Sequence, residues 1–260
     1  MVDLKQFNEA LTRYVRPQTY PVAVKMCSSL DEIPERAQFP KRDRGSLMPV
    51  CQMVGLSRRY GISMAAGIDD MNCPGAMVTL GLVPAKKRYL EGEFASSSVI
   101  PKEAHARSSK LLPRLEHGRY KYVVTAPIHR AKFDTDVVII YGFPAQIALL
   151  TQASGFQTGE PIRTPIASGG FCAPIIAGAM LTAECQVELP CAGDRAFGSA
   201  QDYELGFSAP QSKLEQLVVA LESLWKSGMY RIPIITNLDF EANFPESYKQ
   251  AIEYLTQEGE

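Results

Sequence analysis

Charge of one sign is what this chain most plainly lacks: 27 Lys and Arg stand against 28 Asp and Glu, a net charge of −1. Without surplus cations there is no long-range pull on a polyanion, so nucleic-acid binding loses its usual electrostatic signature. Long apolar runs are missing as well. The longest near-apolar segment, Phe171 to Leu181, is interrupted by Pro174 and Gly178 and falls short of the roughly 18 residues that span a bilayer. The start, Met1-Val2-Asp3-Leu4-Lys5-Gln6, has no basic stretch leading into an apolar one. No secretory signal and no membrane partner are therefore expected, and the expected location is cytoplasmic. The patterns G-x-x-x-x-G-K-[ST], G-x-G-x-x-G and G-x-S-x-G do not occur, which withdraws support from the common phosphate, dinucleotide and hydrolase readings. Cysteines are few and scattered. Six in 260 residues make no disulfide scaffold, and none are spaced C-x-x-C as in zinc ribbons and ferredoxins, so reduced thiols are expected.

What is present reads as a globular domain. Hydrophobic residues make up 46% and charged residues 21%, near the average for folded domains. Leu4, Phe7, Leu11 and Tyr14 recur at helical spacing, and Arg16-Pro17 ends that helix. Tyr20 to Met26 predicts a strand with proline at its start. The charged stretch 31–44, punctuated by Pro34 and Pro40, predicts a surface loop whose basic tip, Lys41 to Arg44, is a solvated face. Helix is compatible with 101–116, and Tyr120 to Thr125 alternates as a strand does. Asp136 to Gly142 is a continuous apolar run, the mark of a strand buried on both faces, and it leads into Pro144, which suits a helix start. Further strands are expected at 185–190 and 203–208, around a turn at 192–195. After Pro210, Leu214, Leu217, Val218, Leu221, Leu224 and Trp225 predict an amphipathic helix with the lone Trp in the core. A last, exposed helix is expected near 246–257. Strands and helices mix without strict alternation. The expected fold is α/β or α+β: a single domain, 1–260, with a mixed sheet flanked by helices and a C-terminal helical extension over 226–260.

Three cysteines share a local grammar. Cys51, Cys73 and Cys172 each precede an apolar segment, and Pro74 and Pro174 suit helix starts. A thiol at such a start meets unpaired N–H groups and the positive end of the helix dipole, which favour the thiolate that metals bind. The separations are 22 and 99 residues, so only the fold can assemble a cluster. The bland alternative is that each is a small buried hydrophobe, since free Cys is among the most buried residue types. Cys27 and Cys185 are read as structural, and Cys191, beside Gly193-Asp194-Arg195, as a candidate fourth ligand. His105, His117 and His129 lack the i, i+4 spacing of a helical metal site. Ser168-Gly169-Gly170 is either a backbone that approaches a cofactor closely or a plain turn. Lys25 follows an apolar strand. Arg195 forks onto a carboxylate, either Glu204 or a substrate's.

The ordered set Pro21-Val22-Ala23-Val24-Lys25, Cys51, Cys73-Pro74-Gly75-Ala76 with Leu80-Gly81-Leu82, Phe143-Pro144-Ala145-Gln146, Cys172, Leu189-Pro190-Cys191-Ala192-Gly193-Asp194-Arg195 and Asp202-Tyr203-Glu204-Leu205 resembles the family called domain of unknown function 169. This is the uncharacterised ArCR group of archaeal and bacterial proteins. The likeness runs over roughly 4–225. It implies recurring cysteines at positions 51, 73 and 172, a glycine more commonly than a cysteine at 191, and anaerobic sources compatible with oxygen-sensitive chemistry. It implies no activity. The leading expectation is an oxygen-sensitive enzyme whose Cys51, Cys73 and Cys172 hold a 4Fe-4S iron–sulfur cluster, with one iron open to a small anionic substrate that Lys25 and Arg195 orient. The alternatives are a non-catalytic protein binding a small molecule or cofactor beyond the carboxyl end of strand 136–142, and a metal-free thiol enzyme using Cys73. A homo-oligomer is compatible with either.

Overall fold

The computed structural model describes residues 3–93, 101–166, 170–228, 230–234 and 244–257. Six strands, β1 (Val22–Cys27), β2 (Met64–Ala66), β3 (Tyr122–Pro127), β4 (Val137–Gly142), β5 (Gln186–Glu188) and β6 (Leu205–Pro210), form one open sheet in the order β2-β3-β1-β4-β6-β5. Every ladder between these strands is antiparallel. Parallel pairing among the described residues is confined to one isolated bridge, Gln38 with Met64. The fold is therefore α+β in a single sheet-centred domain, and the mixed sheet expected from the sequence is corrected to an antiparallel one. The strand-then-helix unit after Asp136 does exist, but no parallel strand follows it. The chain after that helix passes through a further helical stretch and β5 before β6 pairs with β4 in the opposite direction.

Helices cover both faces of the sheet. In chain order they are α1 (Leu4–Ala10), α2 (Pro40–Arg44), α3 (Val50–Tyr60), α4 (Pro74–Thr79), α5 (Lys87–Leu90), α6 (Lys102–Leu111), α7 (Pro144–Ser154), α8 (Ala179–Thr182), α9 (Ala192–Phe197), α10 (Leu214–Lys226) and α11 (Glu246–Thr256). Wide π-type turns extend α1 through Leu11–Val15 and lead into α8 through Ala173–Gly178. Because strand side chains alternate between faces, Val24, Val137, Ile139 and Tyr141 point to one side and Val138, Ile140, Phe207 and Ala209 to the other. The first side packs against α3, α4 and the 171–179 stretch; the second packs against α1, α7 and α10. Phe7, Leu11, Leu150, Leu217 and Leu221 are fully buried on the second side. Each such side chain stabilises the packing by roughly 1.5–3 kcal/mol, which holds that helical layer on the sheet.

Local signals explain most boundaries. Pro40, Pro74 and Pro144 open α2, α4 and α7 at the first turn, where their missing N–H is not needed. Gly61 ends α3 in the left-handed region at φ 70°, a conformation that glycine adopts without strain. The loop expected over 31–44 holds α2 and a turn of 3-10 helix, Leu30–Glu32, while Lys41 to Arg44 are exposed. Trp225 is half-buried instead of central, with the guanidinium groups of Arg16 and Arg231 5.4 and 5.6 Å from its ring centroid. Helix α11, in the expected C-terminal extension, has no buried residue. Among the described residues no helix is long and apolar enough to cross a membrane.

Candidate functional site

Four helical starts meet above the first face of the sheet. Cys51 lies in the first turn of α3, Cys73 immediately before α4, Cys172 immediately before the π turn, and Cys191 immediately before α9. All four are reduced, partly exposed and line one cavity of about 440 Å³. Its floor is Ile139 and Tyr141 from the middle of β4. It therefore sits against the face of that strand and not beyond its carboxyl end. Phe171, Ile176 and Phe197 supply further apolar wall, and Gln52, Asn72, Thr79 and Tyr89 supply uncharged polar groups. No His, Lys, Arg, Asp or Glu is among the lining residues within the described chain.

Backbone N–H groups aim at two of the sulfurs. Ala76 N–H donates to Cys73 Sγ at 3.5 Å and Asp194 N–H donates to Cys191 Sγ at 3.4 Å. On the remaining two, burial pushes the thiols well up; the negative charge of Asp194 adds to the shift at Cys51, and neighbouring cysteines add at both Cys51 and Cys172. In the bare protein these two thiols keep their protons at neutral pH. Four sulfurs gathered in this way repel one another as anions, so a cation among them lowers the free energy of all.

Behind the floor runs a buried polar chain. Tyr141 Oη donates to both carboxylate oxygens of Asp194 at 3.0 Å. The guanidinium of Arg58 lies 3.9 Å from the Tyr141 ring centroid and binds both oxygens of Glu204, at 2.9 and 2.8 Å. Burial pushes the Asp194 carboxyl up to about 6, against the pull of Tyr141 and Arg58. Phe171 stacks on Tyr141 as well, with centroids 5.2 Å apart. That stacking depends on Gly206, which pairs with Tyr141 across the sheet. A Cβ at Gly206 would run into the Phe171 ring.

Of the residues singled out in the sequence, Cys51, Cys73, Cys172 and Gly170 come together at the cavity, and so does Cys191. Gly169 lies outside the described residues. Lys25 does not join them. Its strand neighbours Val24 and Met26 face the cavity side, so pleat alternation sends Lys25 to the opposite face, where it stands 4.0 Å from Glu32. Arg195 does not join them either. It pairs with Asp202 at 2.7 Å and is largely exposed, while Glu204, its expected partner, is taken by Arg58. The sequence reading missed Arg58, Tyr141 and Asp194. One signal was available: Val50, Met53, Val54, Ser57 and Arg58 form one buried stripe of α3 at helical spacing, so Arg58 falls on a core position. A second was the repeated Cys-x-Gly at 73–75 and 191–193.

A family profile, uncharacterised ArCR, domain of unknown function 169, matches residues 10–220. The chain belongs to the ArCR family. The match takes in all four cavity cysteines and the whole sheet. No curated protein and no solved structure matches the chain. For this ArCR protein, the cavity itself is therefore the ground for a functional reading. Its four cysteines stand beside only neutral polar groups, those of Gln52, Asn72, Thr79, Tyr89 and Tyr141, and thiolates suit soft metals. Among the described residues no three His, Cys, Asp or Glu side chains are placed to hold a single metal ion.

Proposed function

We propose that this protein binds an iron–sulfur cluster through Cys51, Cys73 and Cys172 and handles a small organic molecule in the same cavity. The observation that supports this reading most is that these three cysteines, far apart in sequence and on separate elements, line one cavity with no His, Asp or Glu among the described wall residues. Bound there, such a cluster supplies redox-active or Lewis-acidic iron. The chain's own residues do the rest. Phe171, Ile176, Ile139 and Phe197 set apolar wall beside the sulfurs, and Gln52 and Asn72 place neutral polar groups in the same cavity for the organic molecule. An anionic molecule steered by Lys25 and Arg195 is not supported, since both side chains are directed elsewhere. The molecule proposed is therefore small, with an apolar or aromatic body and uncharged polar edges.

The test is anaerobic purification followed by iron and sulfide analysis and a visible spectrum. A brown, air-sensitive protein with near-stoichiometric iron and sulfide is expected, and the colour should vanish in the triple variant Cys51→Ser, Cys73→Ser, Cys172→Ser. A colourless anaerobic preparation without iron overturns the reading. The alternative of a metal-free binding protein draws on the largely apolar walls and the 440 Å³ volume, which suit a small ligand by themselves. A small molecule that raises the melting temperature of the triple variant as much as that of the unaltered protein selects this alternative.

A further inference from the structure

We infer that Cys191 is a fourth thiolate ligand, so that the cluster is held by four sulfurs of one chain and has no iron open to substrate. This rests on the cluster reading above and goes beyond it. Two observations carry it. The first is position: Cys191 lines the same cavity as Cys51, Cys73 and Cys172 and is exposed to the same intermediate degree. The Cys51 Sγ–H donates to the Gly193 carbonyl at 3.5 Å, which ties the first turn of α3 to the start of α9.

The second is construction. Cys73 and Cys191 are built alike, although 118 residues separate them. Each is the residue before a short helix, in extended backbone, with ψ 105° at Cys73 and 169° at Cys191. Each sulfur accepts the N–H of the residue three further on. Each is followed two residues later by a glycine, and a Cβ added there would have that sulfur as its nearest neighbour, at 3.9 Å for Gly75 and 3.8 Å for Gly193. In both, the sulfur caps its helix through that N–H and keeps a face turned to the shared cavity, beside a glycine that adds no side chain there. Cys185 makes the contrast: it is 3% exposed and packs in the cluster on the far side of the sheet. With four thiolates in place, the organic molecule packs beside the cluster instead of binding to its iron.

The experiment compares the anaerobically reconstituted protein with Cys191→Ala, Cys191→Ser and Cys185→Ala, using cyanide as the probe of an open iron. The unaltered protein and Cys185→Ala are expected to hold iron and sulfide in equal amounts, with a visible spectrum that cyanide leaves in place. Cys191→Ala is expected to keep its iron but to show a cyanide-dependent spectral shift. Cys191→Ser, which keeps a polar cap for α9, shifts the spectrum before any cyanide is added and guards against a folding defect in the alanine variant. Iron-loaded unaltered protein that already responds to cyanide, with neither Cys191 variant changing the spectrum, overturns this inference and leaves the three-cysteine cluster standing. Unaltered protein that takes up no iron overturns both.

Discussion

Replacing Arg58 by methionine tests the buried chain beneath the cavity. The Arg58 side chain is 0% exposed and is the cation that bridges Glu204 and the Tyr141–Asp194 pair. Methionine keeps the length and removes the charge, leaving two carboxylates, 0% and 8% exposed, without it. Breaking a buried ion pair from one side costs about 3–5 kcal/mol. For a domain of this size that corresponds to a drop of about 6–20 °C in Tm. The loss has a definite pH dependence. Asp194 is pushed up to about 6 by burial, so its proton binds more tightly in the folded chain than in the unfolded one. Stability tied to that proton is present below the ordinary carboxylate range and is lost as pH rises through about 6. Removing Arg58 enlarges this term, so the variant should lose more at pH 8 than at pH 5. Urea melts of metal-free protein at both pH values measure it. A loss below about 1 kcal/mol, or an equal loss at both pH values, would refute the argument that the guanidinium neutralises this chain. The double variant Arg58→Met, Glu204→Gln should recover part of the loss, because it removes one of the stranded charges as well.

Three other outcomes are expected. Gly55→Ala sets a Cβ 2.7 Å from the backbone carbonyl oxygen of Gly198, forcing α3 and α9 apart at a cost of about 1–3 kcal/mol; a urea midpoint unchanged from the parent would contradict that close approach. Leu150→Ala empties a fully buried site between α7 and its neighbours and should cost about 2–5 kcal/mol by thermal or chemical denaturation, with a value under 1 kcal/mol speaking against the packing described. In metal-free protein at pH 8, iodoacetamide should modify Cys51 and Cys172 more than about tenfold more slowly than the same cysteines in urea, since burial holds both thiols protonated. Peptide mass mapping over time gives the rates, and equal rates folded and unfolded would sink the claim.

Local pattern carried much of the architecture. The apolar run at 137–142, the proline-opened helix after it and the spacing from Leu214 to Leu224 each correspond to an observed element. Strand direction was not legible, because β4 reads the same whether its neighbours run with it or against it. The first strong helix of the site, α3, was overlooked because its buried stripe includes Ser57 and Arg58, which break the apolar pattern while occupying core positions. Charge misled in the same way. Lys25 and Arg195 stood out as cations near suggestive motifs, yet one faces the wrong side of the sheet and the other is satisfied by Asp202. The cation that does underlie the cavity is hidden in a helix. Gathering cysteines from positions 51, 73, 172 and 191 is a long-range event that no local spacing encodes, although the repeated Cys-x-Gly hinted at two of them.

The two outer strands of the sheet, β2 and β5, are three residues each. Along β2 the backbone of Gln38 engages Ser63 and Ala65, each at 2.9 Å, so that margin is already occupied. A neighbouring chain seeking to extend the sheet finds only a stub to pair with, and such stubs are how antiparallel proteins resist edge-to-edge aggregation. A protein whose interior strands are as uniformly apolar as β4 has particular need of that protection whenever it is synthesised faster than it folds.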